Sequence, residues 1–232
     1  MKPRRIRQTG NRTVIVSGPD SSYVSRVQRE HRFAYELVNV SRYHASEARK
    51  AGKDNYWKIR SNVISAVNAS YSALEATYNE FIHIVALGDH SPLDDLKREV
   101  IHYIASEKLA PEPKQNTLQR FNMLLRVLEK EELKSSSEPY QSANLLRILR
   151  NMLVHPLPST VVTFDITDPD LSTQQEIVGK LRSHLRLDRT ATFPDGILIP
   201  ACAAWASRSA ERFLAEFEKR SGVDLGFVLQ VD

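Results

Sequence analysis

Apolar residues along this chain recur mainly at intervals of three and four, the spacing that places them on one side of an α-helix. From about Val24 to Lys50 the positions Ala34, Leu37, Val38, Ser41, Ala45 and Ala48 keep that register, and Gly52 stands where such a helix would stop. A second helix is expected from near Asp54. Along it Ile59, Val63, Ala66, Val67, Ser70, Leu74, Tyr78, Phe81 and Val85 trace one face, which predicts a central packing helix. Another side of it carries a polar stripe, Asn68, Ser72, Glu75, Asn79 and His83. Such a stripe either faces water or lines a polar site.

Further along, Ser91, Pro92 and Asp94 supply a cap, a first-turn proline and an acidic first turn, so a third helix is expected to run to about Lys108. The segment Ala110 to Asn116 breaks the pattern. Leu118, Phe121, Leu124, Leu125 and Leu128 restore it in a helix from Thr117 to Leu133, and Lys134 to Pro139 reads as a loop. The next helix contains LLRILRNMLVHP, Leu145 to Pro156. Val161 to Ile166 favours an extended piece. Ser172 with Gln175 resembles a capping box for another helix, and a last long one begins near Pro200 and ends at Gly222. Its buried side is expected to hold Cys202, Ala206, Ala210, Phe213 and Phe217, or a face turned slightly toward Trp205. The fold class is therefore all-α, a helical bundle with an irregular N-terminal arm and short extended insertions. Residues 1–23 form a basic, poorly ordered arm, 24–222 a single helical domain and 223–232 a short tail.

The stretch LLRILRNMLVHP joins this fold to a possible chemistry. Leu145, Ile148, Leu149 and Met152 are expected to dock on the bundle, while Asn144, Arg147, Asn151 and His155 share the opposite side at steps of three, four and four. Arg150 lies about 100° round the helix from Asn151. The proline after His155 biases that residue out of the helical conformation, so the imidazole sits where the helix exposes its last carbonyls. A histidine able to move a proton, beside an arginine whose fork matches phosphate oxygens, suits RNA cleavage without a metal. The simpler reading is a cap with a neighbouring salt bridge, and spacing alone leaves both open.

With 232 residues, 41% of them apolar and 26% charged with mixed signs, the chain has the balance of a globular protein. No stretch approaches the roughly 18 consecutive apolar residues of a membrane helix. The net charge of +4 permits a polyanionic partner. Five of the cations, Lys2, Arg4, Arg5, Arg7 and Arg12, fall in the first twelve residues, and no apolar segment of a secretory signal follows them. The single cysteine, Cys202, excludes an intramolecular disulfide and suits a cytoplasmic setting; its small-residue surroundings read as helix packing rather than as a nucleophile's site. His83, His90 and His102 are not set with carboxylates at metal-ligand spacing, no Gly-rich phosphate loop occurs, and neither metal nor cofactor is expected.

The string Leu149-Arg150-Asn151-Met152-Leu153-Val154-His155-Pro156 resembles the signature of HEPN domains in its RNxxxH form. The segment SALEATYNEFI, Ser72 to Ile82, looks like the early long helix of that superfamily, and PYQSANLLRILRN looks like the lead-in to its motif helix. The likeness spans about Asp54 to Ser159 and is weaker in the last helix. It implies a bundle that dimerises so that two motif helices face one cleft. It also implies a metal-independent endoribonuclease leaving a 2′,3′-cyclic phosphate, of the kind found in toxin-antitoxin or antiphage systems, with an antitoxin or defence protein as a further partner. Carried over, Arg150 and His155 are the catalytic pair and Asn151 the polar residue beside the arginine. Glu75, Asn79 and Arg147 are supporting candidates, and whether Arg147 or Arg150 turns toward His155 stays open. The alternative is an inactive module of the same type that binds RNA, a nucleotide or a partner protein.

Overall fold

The computed structural model describes residues 13–14, 28–29, 33–52, 54–87, 116–155 and 169–223, and of 13–14, 28–29, 83–87 and 169–173 the backbone alone. Six helices occur among these residues: α1 Phe33–Lys50, α2 Tyr56–Leu87, α3 Thr117–Val127, α4 Glu138–Val154, α5 Pro169–Leu185 and α6 Pro200–Ser221. The helix expected at 91–108, the extended piece at 161–166 and Pro156 lie outside the described residues.

Thr13–Val14 pairs antiparallel with Gln28–Arg29 in a two-residue ladder. Gln28 and Arg29 are therefore not helical, and α1 begins nine residues later than the periodicity from Val24 suggests. Within α1, Ala34, Val38, Ser41 and Ala48 are buried as the spacing predicts. Serine fits that apolar face because Ser41 and Ser70 hydrogen-bond each other at 2.6 Å across α1 and α2, while Ser70 donates to the Ala66 carbonyl at 2.7 Å.

The α2 helix follows Asn55, whose side chain accepts the Lys58 N–H, and buries Val63, Ala66, Val67, Leu74, Tyr78 and Phe81. The α3 helix opens with a full capping box between Asn116 and Gln119. It stops at Val127, six residues before Leu133. Glu129 takes a left-handed φ of 57°, and the Asn122 amide binds both the N–H and the C=O of buried Leu133 at 2.9 Å, folding the chain back on the helix. The α5 helix begins at Pro169, so Ser172 lies inside its first turn and is not its cap.

Pro200 and left-handed Gly222 bound α6. This helix touches all five others, and α2 touches α1, α3, α4 and α6. The two therefore share the central position that the sequence pattern assigns to α2. Phe121 of α3 stacks edge-on against Phe213 and Phe217 of α6 at 5.2 and 4.6 Å, and Phe217 meets Phe81 of α2 at 5.4 Å. A buried ion pair also enters this core: Arg42 of α1 donates two hydrogen bonds, 3.0 and 2.7 Å, to buried Glu211 of α6, which also accepts from Ser207. No helix of the described structure is long and apolar enough to cross a membrane.

Candidate functional site

The orientation of α4 follows from what it buries. Ser142, Ala143, Leu145, Leu146 and Leu149 face the bundle, so the docked side is centred roughly 70° round from the expected line of 145, 148, 149 and 152. Ile148 and Met152 are consequently only half-buried. They stand with Arg147, Asn151 and His155 along a shallow, largely open groove on the outer side of α4.

The same rotation sends the two arginines different ways. Arg147 stays on the groove, and its Nε donates to Asn144 Oδ1 at 3.1 Å. Arg150 falls on the flank of the docked side, toward α2. Its guanidinium lies 5.5 Å from the ring centre of Tyr71, and one Nη donates to Asn151 Oδ1 at 3.1 Å. Asn151 thus belongs to both groups, accepting from Arg150 and lining the groove with Arg147 and His155.

Tyr71 is buried, and its hydroxyl donates to Thr117 Oγ1, the first residue of α3, at 2.9 Å. Burial pushes this phenol's pKa up; the Thr117 hydrogen bond and the charges of Arg147 and Arg150 oppose that rise, and Glu75 adds to it. Both arginines and Glu75 are therefore electrostatic neighbours of one ring. Pattern reading missed Tyr71 and Thr117. The available signal was an aromatic with a polar tip at the border between the apolar face and the polar stripe of α2.

His155 is the C-cap of α4, with φ −120° and ψ 64° and its backbone N–H on the Asn151 carbonyl at 2.9 Å. This is the non-helical edge position expected of it, and the imidazole is exposed. Along the polar stripe of α2, Ser72 and Glu75 are half-buried and Asn79 is exposed; the Asn68 Oδ1 is buried without a partner among the described residues. Among those residues neither Glu75 nor Asn79 hydrogen-bonds Arg150 or His155, so Glu75 reaches the group only through its field at Tyr71. Cys202 is fully buried on α6 and its thiol pKa is pushed up to about 12 by desolvation, the state of a packing residue rather than a nucleophile.

In chemical terms the arrangement offers one guanidinium held from two sides, a second on an open groove, an amide joining them and an exposed imidazole at the helix end. Among the described residues no group of three or more His, Cys, Asp or Glu is placed to hold a metal. Neither the family models, nor the curated proteins, nor the solved structures offer a match to this chain.

Proposed function

We propose that this protein is a metal-independent endoribonuclease of the HEPN type, acting in a toxin-antitoxin or antiphage setting. The observation that carries the reading is Asn151, which accepts from Arg150 while sharing a groove with Arg147 and His155. The RNA backbone lies along that groove. His155 takes the proton of a 2′-hydroxyl, the 2′-oxygen attacks phosphorus, and the bond to the 5′-oxygen breaks as that oxygen takes up a proton. The products are a 2′,3′-cyclic phosphate and a 5′-hydroxyl. Arg150 and Arg147 balance the charge that builds on the phosphoryl oxygens, and the Tyr71 ring and Asn151 keep Arg150 in place before substrate arrives.

Two copies pair through the exposed edge of α4, so that both sets of arginine and histidine meet one RNA strand. Half-buried Ile148 and Met152, interleaved with polar groups, and 40% exposed Val154 supply the apolar part of that contact.

Purified protein is incubated with total RNA and EDTA, beside Arg150→Ala and His155→Ala. Wild type is expected to cut and to leave cyclic phosphate ends, and each variant to lose about 100-fold or more in rate. Cutting retained by both variants overturns the site. Binding of RNA without cutting favours the inactive module of the same type. Ile148→Asp with Met152→Asp is expected to convert a dimer to a monomer in sedimentation; an unchanged mass removes α4 from the interface.

A further inference from the structure

At the other end of α4, seventeen residues or about 25 Å from His155, a cavity of about 190 Å³ lies where the first turn of α4, the last turn of α5 and the middle of α6 meet. One face of α6 supplies most of it. Trp205, Arg208, Ser209 and Arg212 follow one another at steps of three, one and three, so all four stand on the same side of the helix. The two guanidiniums are a single turn apart and exposed, and among the described residues neither has a carboxylate partner. Being exposed, the two cations repel each other only weakly in water, and both forks stay open to an anion.

Of the remaining wall, Pro139 offers no donor and the Ser142 hydroxyl is taken by Glu138, which leaves the His184 ring. His184 of α5 stands beside the Trp205 ring, 6.0 Å between centres. The Trp205 indole N–H is buried and lacks an acceptor among the described residues, a state that costs about 1–3 kcal/mol. The positive end of the α4 dipole points the same way. Glu138 is the one acidic group on the wall, and the Ser142 hydroxyl shares its single proton between the two carboxylate oxygens, at 2.8 and 2.9 Å.

We infer that this cavity binds a phosphate group, either inorganic phosphate or a small phosphomonoester. Two forked guanidiniums, the Ser209 hydroxyl and the His184 ring exceed what the two oxygens of a carboxylate accept, and they match the three terminal oxygens of a phosphate. The Trp205 ring is itself buried and leaves no face for a base to stack on, so the ligand is compact. This site is independent of the groove at His155.

Inorganic phosphate and ethyl phosphate are titrated at constant ionic strength, by calorimetry and by fluorescence of a Trp57→Phe variant in which Trp205 is the remaining tryptophan. Saturable binding is expected, weakened about tenfold or more by Arg208→Ala with Arg212→Ala and less by Arg208→Lys. Both arginines are exposed, so the melting temperature of these variants stays at the wild-type value without ligand. Tighter binding of ethyl phosphate identifies a phosphomonoester as the natural ligand; equal or weaker binding identifies inorganic phosphate. Absence of a saturable response to either compound in both readouts overturns the inference, as does equal affinity in the double alanine variant. RNA cutting is not read in any arm, so failure here leaves the nuclease reading standing.

Discussion

Tyr71 is what separates Arg150 from Arg147. The two arginines sit less than one turn apart on α4, yet only Arg150 has its guanidinium over a buried ring whose hydroxyl is anchored on Thr117. Tyr71→Phe keeps the ring and loses that anchor. It is expected to cost about 1 kcal/mol of stability and to leave RNA cutting nearly intact. Tyr71→Leu removes the platform and is expected to lower kcat about tenfold, the equivalent of ~1.4 kcal/mol in the transition state. Equal rates in the two variants would show that the ring does not position Arg150. Burial acts on other side chains as well. It raises the Cys202 thiol from an ordinary 9.0 to about 12, and it raises the phenols of Tyr71, Tyr78 and Tyr140 above 10.0. The folded chain holds each of these protons more tightly than the unfolded chain. Their contribution to stability is therefore full below pH 9.0 and is lost as pH rises through the raised values. Denaturant midpoints measured from neutral pH upward are expected to fall steeply on passing the ordinary tyrosine value of 10.0, and Cys202 to resist thiol reagents until the protein unfolds.

Helix α3 illustrates how a segment with good periodicity stops early. Leu128 and Leu133 are both apolar and both buried, but the five-residue step between them is off the helical register, and the backbone leaves the helix at Glu129. The Asn122 side chain stabilises that exit by taking the place of a backbone partner for Leu133. Asn122→Ala strands both backbone groups of a buried residue, and chemical denaturation is expected to show a loss of about 2 kcal/mol. A loss under about 0.5 kcal/mol, the size of an ordinary surface change, would mean that the turn is held by packing alone. Helix α4 shows a different effect, in which the whole element turns about its axis. Docking through Ser142, Leu146 and Leu149 leaves Ile148 and Met152 at the edge of the groove, which is why the groove has an apolar side at all.

Across the molecule, α6 joins the parts. It meets every other helix among the described residues, closes the aromatic cluster on α2 and α3, and receives Arg42 from α1 at Glu211. The Glu211 side chain is 10% exposed and that of Arg42 28%, so solvent screens the pair only in part. Arg42→Met leaves a buried carboxylate with Ser207 as its remaining donor and is expected to cost about 2 kcal/mol, while Arg42→Met with Glu211→Leu recovers most of that loss. A double-mutant cycle on denaturation free energies measures the coupling, and additive losses would rule out the pair as the link between α1 and α6. Either end of α4 depends on this frame: the Arg150 group needs α2 and α3 in register with it, and the cavity of Arg208 and Arg212 needs α5 and α6.

Much of this arrangement is legible in the residues alone. Spacing of three and four places five of the six helices near their observed positions, and proline and glycine mark the bounds of α6, because a helix face and its stop signals are local properties. His155 at a non-helical edge is of the same kind. The face by which α4 docks is a different matter: Leu145, Ile148, Leu149 and Met152 make as good an apolar line as Leu145, Leu146 and Leu149, and only packing against α2 and α6 selects between them. Which arginine meets Tyr71 follows from that choice. The early end of α3 rests on a contact eleven residues away, and the pairing of Arg42 with Glu211 on one 169 residues away, distances over which helical periodicity carries no information. The chain by itself thus specifies which helices form and which polar residues stand as candidates; the rotation of each helix, set by side-chain volumes meeting in the core, specifies which of those residues meet.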